Sequence, residues 1–578
     1  MRRIRSSVLV VAVSAVLVPV VSAGASAGAG EPTTFYGSGW GHGLGLSQWG
    51  AYGLANLGWS STDILTHFYS GTKLAKIDQQ PGEIRVALAT GSKVLHLTAE
   101  AGPVRLSVDT PAGGAPVGKI PVGETWAVRP VDGAYEVHDA SGAVVGGSTW
   151  GSTSSDLFAT YADHGARVTV PEGGATYNRG TLELNLTTCA DGCALRLILR
   201  LPFEEYLLGI GEVPSGWPME ALRAQAVAAR SFALYKLRRY GLQPSCNCDL
   251  TDGSNDQVYV GWDKEGGVDG PRWVKAVRST AGSIVTYRGK VALTVFTASD
   301  GGHTEDLNVQ WGTPLAQYPY LAGVCDPGDY TQANPWTDWT RRFTGGALTS
   351  ALVPYTGDIG AVSGFGKIHR GVSGRIEDAV VRGADGDATI SGSELRSALA
   401  LPDDRVWINV DKNVLGAIRS KYDALMCQPG LPTSVSKVLP GGARQRFQSG
   451  AIYRNGALGV TVWLKGPLYA EFLVAGGASG PLGLPVADPI DIGKDLGPLC
   501  PDGCSRADFE HGRVYWNAHL GAFALWGNVF AFYDGRGGAR GSFGFPTSRV
   551  QTRENGSEWA TFEHGTITCG RDGRCRAS

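Results

Sequence analysis

The chain has 578 residues, too many for one ordinary core, so several domains are expected. Its 83 glycines and 16 tryptophans, with only 18% charged residues, point to a β- and turn-rich exported protein rather than a helical one. A formal net charge of −2 removes the electrostatic case for nucleic acid or for an anionic membrane surface as partner.

Residues 1–27 read as a secretory signal. Arg2, Arg3 and Arg5 form its basic head, Val8 to Val21 its apolar run, and Ala25-Ser26-Ala27 or Val21-Ser22-Ala23 a cleavage step. The run is short for a membrane span and no later stretch is long and apolar enough, so a secreted mature protein is expected.

Residues 35–72, FYGSGWGHGLGLSQWGAYGLANLGWSSTDILTHFYSGT, follow. Gly39, Gly41, Gly43, Gly45 and Gly50 leave the backbone open to close approach by a ligand or another chain. Short helices are predicted from Ser47 to Leu57 and, with Ser61 as N-cap, to Tyr69. Trp40, His42, Ser47, Gln48 and Trp49 suit a saccharide groove: aromatic faces stack on sugar rings, and amide or hydroxyl groups bind their substituents. The motif lacks the lysine of a phosphate-binding loop.

Residues 80–205 alternate strand-like runs with Gly, Pro and Asp turns and read as an antiparallel β scaffold. Residues 206–240 are the most informative. Gly209, Gly211, Pro214, Gly216 and Pro218 break regular structure around a lone Glu212. A helix follows, with Pro218 as its first residue, Glu220 in its first turn and basic residues in its last. Leu222, Ala226, Ala229 and Ala233 give it one narrow apolar face. In residues 250–427, Ser299 and Thr304 are hydroxyl donors for a sugar groove and Gln257 an acetamide partner.

All 10 cysteines lie beyond the signal, so disulfides are the default in an exported chain. Cys189/Cys193, Cys500/Cys504 and Cys569/Cys575 are close pairs, and Cys246, Cys248, Cys325 and Cys427 remain with their pairing open. A metal half-site of Cys246, Cys248 and His303 is the weaker alternative, because C-x-C is not the usual zinc spacing. Residues 384–394 depart from a calcium loop at Gly383 and Ala388 and are expected to form a hairpin before a short helix. No metal or other cofactor is expected.

In the tail, residues 440–578, FQSGAIYRN, FEHGRVYWN and FEHGTITC share a pattern, and PLGLPVAD and SFGFPTSR follow the first two. Two whole repeats and a truncated third are expected, stacked to bury a shared core.

The stretch YLLGIGEVPSGWPMEALRAQAVAARSFAL closely resembles the central motif of the stage II sporulation protein D and amidase enhancer (SpoIID/LytB) family. GWGHGLGLSQWGA, Gln257-Val258-Tyr259, the step from Ser299 to Glu305, and Pro319-Tyr320-Leu321 match further family patterns. The tail resembles the LGFP repeat, a module of bacterial envelope attachment. The resemblance implies an α+β protein: a sporulation-protein-D-like domain over 33–430, β-rich around a catalytic helix, then a small β-rich repeat domain over 440–578. It also implies that the Gly-rich motif, often C-terminal in the family, completes the domain from the other terminus.

For function, the resemblance implies a peptidoglycan lytic transglycosylase, secreted and wall-associated, with Glu212 as catalytic acid. Gln225 and Arg230 of the helix, Tyr259 and His303 join the residues above as candidate substrate contacts. One carboxylate can suffice where the sugar's own 6-hydroxyl is the nucleophile, and nothing in the spacing selects Asp256 or Glu305 as a second. The alternative is a non-catalytic member that binds glycan and enhances a cell-wall amidase. Some members bind zinc through Cys and His near the groove.

Overall fold

In the computed structural model the described residues are 32–111, 114–162, 165–187, 193–497 and 500–578. The signal segment and Cys189 lie outside them. The fold mixes helix and strand as expected, and its middle is the helix Met219–Tyr240. That helix is not amphipathic with one narrow face. From Ala221 to Leu234 all but Arg223 are buried, including Gln225, Arg230 and Ser231. Its run of alanines lets helices Gln48–Asn56, Ser61–Phe68 and Gly270–Ser279 approach from several sides. A helix apolar or small all round is a core helix. Pro218 sits one position earlier than expected, at the N-cap, while Arg238 and Arg239 do occupy the last turn.

Around this helix the predicted β scaffold forms a seven-stranded and a five-stranded sheet sharing one apolar core. The seven-stranded sheet is antiparallel, except that its short edge strand Leu250–Thr251 joins Glu83–Ser92 in parallel. That edge pairing carries the chain from the central helix back toward Glu212.

The Gly-rich motif is built into the domain. Thr33–Gly37 is the middle strand of three, between Trp339–Phe343 and Val406–Ile408. Leu46–Ser47 pairs in parallel with Phe296–Thr297, and Trp40 bridges Ser299. The glycines serve this packing rather than a ligand: a Cβ on Gly41 would overlap Thr297, and one on Gly45 the Val295 carbonyl. Ser47 caps Gln48–Asn56, donating to Asp329 and accepting from the Gly50 N–H. The second helix is capped by Ser60, not Ser61, because Asp63 completes a capping box there. Asp387–Ser391 is indeed a hairpin strand leading into helix Gly392–Ala398.

The tail holds three four-stranded sheets, starting at Lys437, Ile490 and Gln551. Phe447, Phe509 and Phe562 occupy equivalent places, each bridging a proline (Pro432, Pro485, Pro546). Each also stacks on a ring from the preceding helix: Tyr422, Phe472 and Tyr533, at 5.3, 4.6 and 4.6 Å. The next residue, Gln448, Glu510 or Glu563, accepts the N–H of Leu431, Leu484 or Phe545. The structural unit is therefore helix, Gly-x-Pro turn, then sheet. Phased this way, the third sheet is no truncated remnant, since helix Gly527–Asp534 belongs to it. The first unit starts at helix Gly416–Ala424, within the span expected to belong to the preceding domain.

The four cysteines whose pairing was open form Cys246–Cys248 and Cys325–Cys427, and Cys500–Cys504 and Cys569–Cys575 are also joined. No thiolate remains for the Cys/His half-site. Cys325–Cys427 ties the first repeat unit to the central domain, and both sulfurs sit in a shared apolar cluster with Ile418, Tyr422 and Phe447.

Candidate active site

The turn carrying Glu212 is fixed on both flanks. Ile210 bridges Tyr259, the Gly211 N–H donates to the Val258 carbonyl at 2.8 Å, and the Val260 N–H donates to Gly209 at 2.8 Å. Gly209 is required here: a Cβ would come within 2.5 Å of the Tyr259 ring. Glu212 thus faces the 254–258 segment across a short two-stranded clamp. Its Oε1 accepts the Val258 N–H at 2.7 Å and its Oε2 the Gln48 amide at 3.3 Å.

Burial pushes the Glu212 carboxyl above its ordinary range, and the Asp252 charge adds to this. The Val258 and Gln48 hydrogen bonds and the Lys264 charge pull the other way. Desolvation wins, because only one strong donor reaches the carboxylate. Lys264 makes no ion pair with it. Its ammonium is buried, donates to the Val213 carbonyl and lies 4.8 Å over the Trp273 ring, and burial lowers its pKa to about 8.

Glu212 and Gln48 open onto a cleft of about 460 Å³. Trp40 and Trp311 line it and stay 43% and 47% exposed, so ring faces are available at its mouth. His42 lies in the wall 5.2 Å from Trp311 and accepts the Leu44 N–H on Nδ1. Burial lowers its pKa to about 4, so it is neutral, with its proton on Nε2. Ser254, Asn255, Phe232 and Arg396 complete the lining. Aromatic platforms with a few convergent polar groups are what a sugar ring needs.

Of the candidate residues, Glu212, Trp40, His42 and Gln48 converge on this cleft. The others take supporting places. Ser47 and Ser299 both donate to Asp329, at 3.0 and 2.8 Å. Trp49 packs on Trp217 and Tyr52. Arg230 is fully buried and forks onto Glu204 at 2.9 Å. Gln257 accepts from the Tyr206 hydroxyl at 3.1 Å, and Tyr259 stacks between Tyr177 and Tyr206. Gln225 is buried on the central helix. His303 and Thr304 are turned toward the 324–325 backbone. Each was a groove candidate by residue type, and each is held outside the cleft lining, most of them by burial and Trp49 and His303 by their packing.

Neither possible second carboxylate is free to act. Asp256 lines the cleft but pairs with Lys236 at 2.8 Å and accepts from Thr251. Glu305 is fully buried against Ser373. Trp311, Asn255 and Arg396 were missed. Trp311 was legible as an aromatic beside a Gly turn, whereas nothing near Arg396 in the sequence marks it.

Comparison with known proteins identifies the class of this domain. The stage II sporulation protein family profile matches residues 192–287, which hold Glu212, the central helix and the 254–258 clamp. The chain thus carries a stage II sporulation protein domain, with an LGFP repeat matching residues 482–541. Among named relatives, Stage II sporulation protein D of Bacillus subtilis is 29% identical over 213 residues, covering 35% of this chain and 58% of that protein. The Amidase enhancer of the same organism is 32% identical over 129 residues, covering 22% and 15%. An uncharacterized protein of Brachyspira hyodysenteriae is 36% identical over 149 residues, covering 25% and 37%. The chain therefore spans less than two thirds of the length of each of these relatives. No helix among the described residues is long and apolar enough to cross a membrane.

Proposed function

We propose that this chain cleaves the glycan strands of peptidoglycan as a lytic transglycosylase outside the cell membrane, with its LGFP repeats holding it to the envelope. The observation that carries the reading is the setting of Glu212, a half-buried carboxyl held at a cleft whose mouth offers two exposed tryptophans. The protonated acid keeps Oε1 on the Val258 N–H and presents its proton from Oε2. Donation to the glycosidic oxygen leaves a carboxylate, which then takes the proton of the muramoyl 6-hydroxyl as that oxygen closes on the anomeric carbon. The product is a 1,6-anhydro end, and no water enters.

The tethered state of Asp256 supports this over hydrolysis, since an inverting hydrolase needs a free second carboxylate to activate water. The test is mass spectrometry of purified glycan strands digested with wild type and Glu212→Gln. Anhydro ends from wild type alone are expected, whereas reducing ends would overturn the reading.

A second reading, glycan binding that assists a cell-wall amidase, is favoured by the similarity to the Amidase enhancer. It takes over if neither protein cuts, both retain glycan, and both stimulate an added amidase.

A further inference from the structure

Behind the cleft wall, three aspartates meet at the start of helix Gln48–Asn56. Asp300, Asp326 and Asp329 come from the turn after Phe296–Thr297 and from the Cys325–Asp329 loop, and each offers an oxygen within 4.8 Å of the others. All are buried, at 0%, 0% and 1% exposure. Among the described residues no Lys, Arg or His nitrogen comes within 4.0 Å of any of them. The nearby guanidiniums of Arg375, Arg405 and Arg419 act on the cluster only at longer range, and Arg375 pairs with Asp403 and Arg419 with Asp423, both at 2.8 Å.

Their hydrogen bonds do not compensate. Asp329 is satisfied by Ser47 and Ser299, but Asp300 and Asp326 each use only Oδ1, on the N–H groups of Gly302 and Gly328. Oδ2 of Asp300 and Oδ2 of Asp326 are buried with no hydrogen-bond partner. Uncompensated buried charge of this kind is expensive, and buried charges are ordinarily paired or bound to a metal.

We propose that Asp300, Asp326 and Asp329 bind one hard divalent cation, calcium in preference to magnesium. The donors are all carboxylate oxygens, which excludes a soft-metal preference, and calcium tolerates an irregular, dehydrated cage better than magnesium does. The ion's work is positional. Asp329 holds the Ser47 hydroxyl, Ser47 caps the helix, and the next residue is Gln48, which reaches Glu212. The cation thereby locks the Gly-rich motif to the segments that complete the cleft. This inference is independent of what the cleft cuts.

The test uses the full chain, stripped with a chelator and then titrated with calcium or magnesium alone. Bound metal is read by mass spectrometry after gel filtration, and stability by the melting temperature. One calcium per chain is expected, with a rise of about 5 °C at a hundredfold excess over Kd. Asp326→Asn should lose both responses. If that variant does not fold, Asp300→Asn and the wild-type titration decide. Metal below a tenth of an equivalent with no calcium-dependent rise overturns the proposal. So does calcium binding that survives both substitutions, because the ion then sits elsewhere. Asp300→Asn that melts higher than the stripped wild type, where wild type takes up no metal, overturns it in favour of a proton shared between Asp300 and Asp326.

Discussion

The tail and the cleft solve the problem of specifying a structure in opposite ways. In the tail one local arrangement is written three times: a ring from a helix stacks on Phe447, Phe509 or Phe562, a proline bridges the same phenylalanine, and the adjoining side chain accepts an N–H. The contacts within each unit are close in sequence. The cleft is written once, from segments around residues 40–48, 212, 254–258, 296–298, 311 and 396. Repetition makes the tail tolerant, since damage to one unit reaches only the units that share an apolar cluster with it. The cleft has no spare copy of anything.

The largest effect that would sharpen this contrast is at Glu212. Glu212→Gln should lower glycan cleavage by about 100- to 10,000-fold, the usual worth of a positioned acid, measured as anhydro ends released per minute. It should also change stability in a pH-dependent way. The folded-state pKa of Glu212 is raised, so wild type loses stability relative to the Gln variant as pH climbs from the ordinary carboxyl range through that raised value. Thermal melts of the two proteins at pH 4 and pH 8 check the sign: the difference should favour Gln only at the higher pH. A Gln variant that cuts normally would break the single-copy view of the cleft.

Phe509→Ala should cost about 3–5 kcal/mol, the usual price of emptying a stacked, buried aromatic site, and centre that loss on the middle unit and the face it shares with the first. Hydrogen exchange should show its sheet opening while cleavage per molecule is unchanged. Loss of cleavage together with the tail would dissolve the contrast.

Gln48→Ala removes one of the contacts that lower the Glu212 pKa. The alkaline limb of the pH–rate profile should move upward, with cleavage at neutral pH down by about tenfold. An unmoved limb would make Gln48 a structural residue only. The smallest effect belongs to Trp40→Ala, where loss of one stacking face should raise KM by about 5- to 10-fold with kcat little changed.

Legibility followed the same division. The Glu212 turn and its helix were readable because Gly, Pro and a single acid are local signals. So was the repeat, although its phase was not: the rings of Tyr422, Phe472 and Tyr533 sit in helices outside the pattern that FQSGAIYRN, FEHGRVYWN and FEHGTITC share, and it is their stacking that reveals the unit. The groove was half readable. Residue type alone cannot say whether a polar side chain meets ligand or protein. Arg230 and Gln257 were plausible sugar contacts until Glu204 and Tyr206 were seen to occupy them. Arg396 was invisible because its place in the cleft depends on how residues 345–408 pack against the Gly-rich motif.

The Cys325–Cys427 bond has a consequence for how such a protein would work on a wall. It fastens the first repeat unit directly to the loop that carries Asp326 and Asp329, with no slack linker between them. A catalytic head on a slack tether samples every angle within its radius. On the proposed function, a head bolted to its anchor would meet each strand at one angle, so moored repeats would decide not only where strands are met but which way along them the cleft faces.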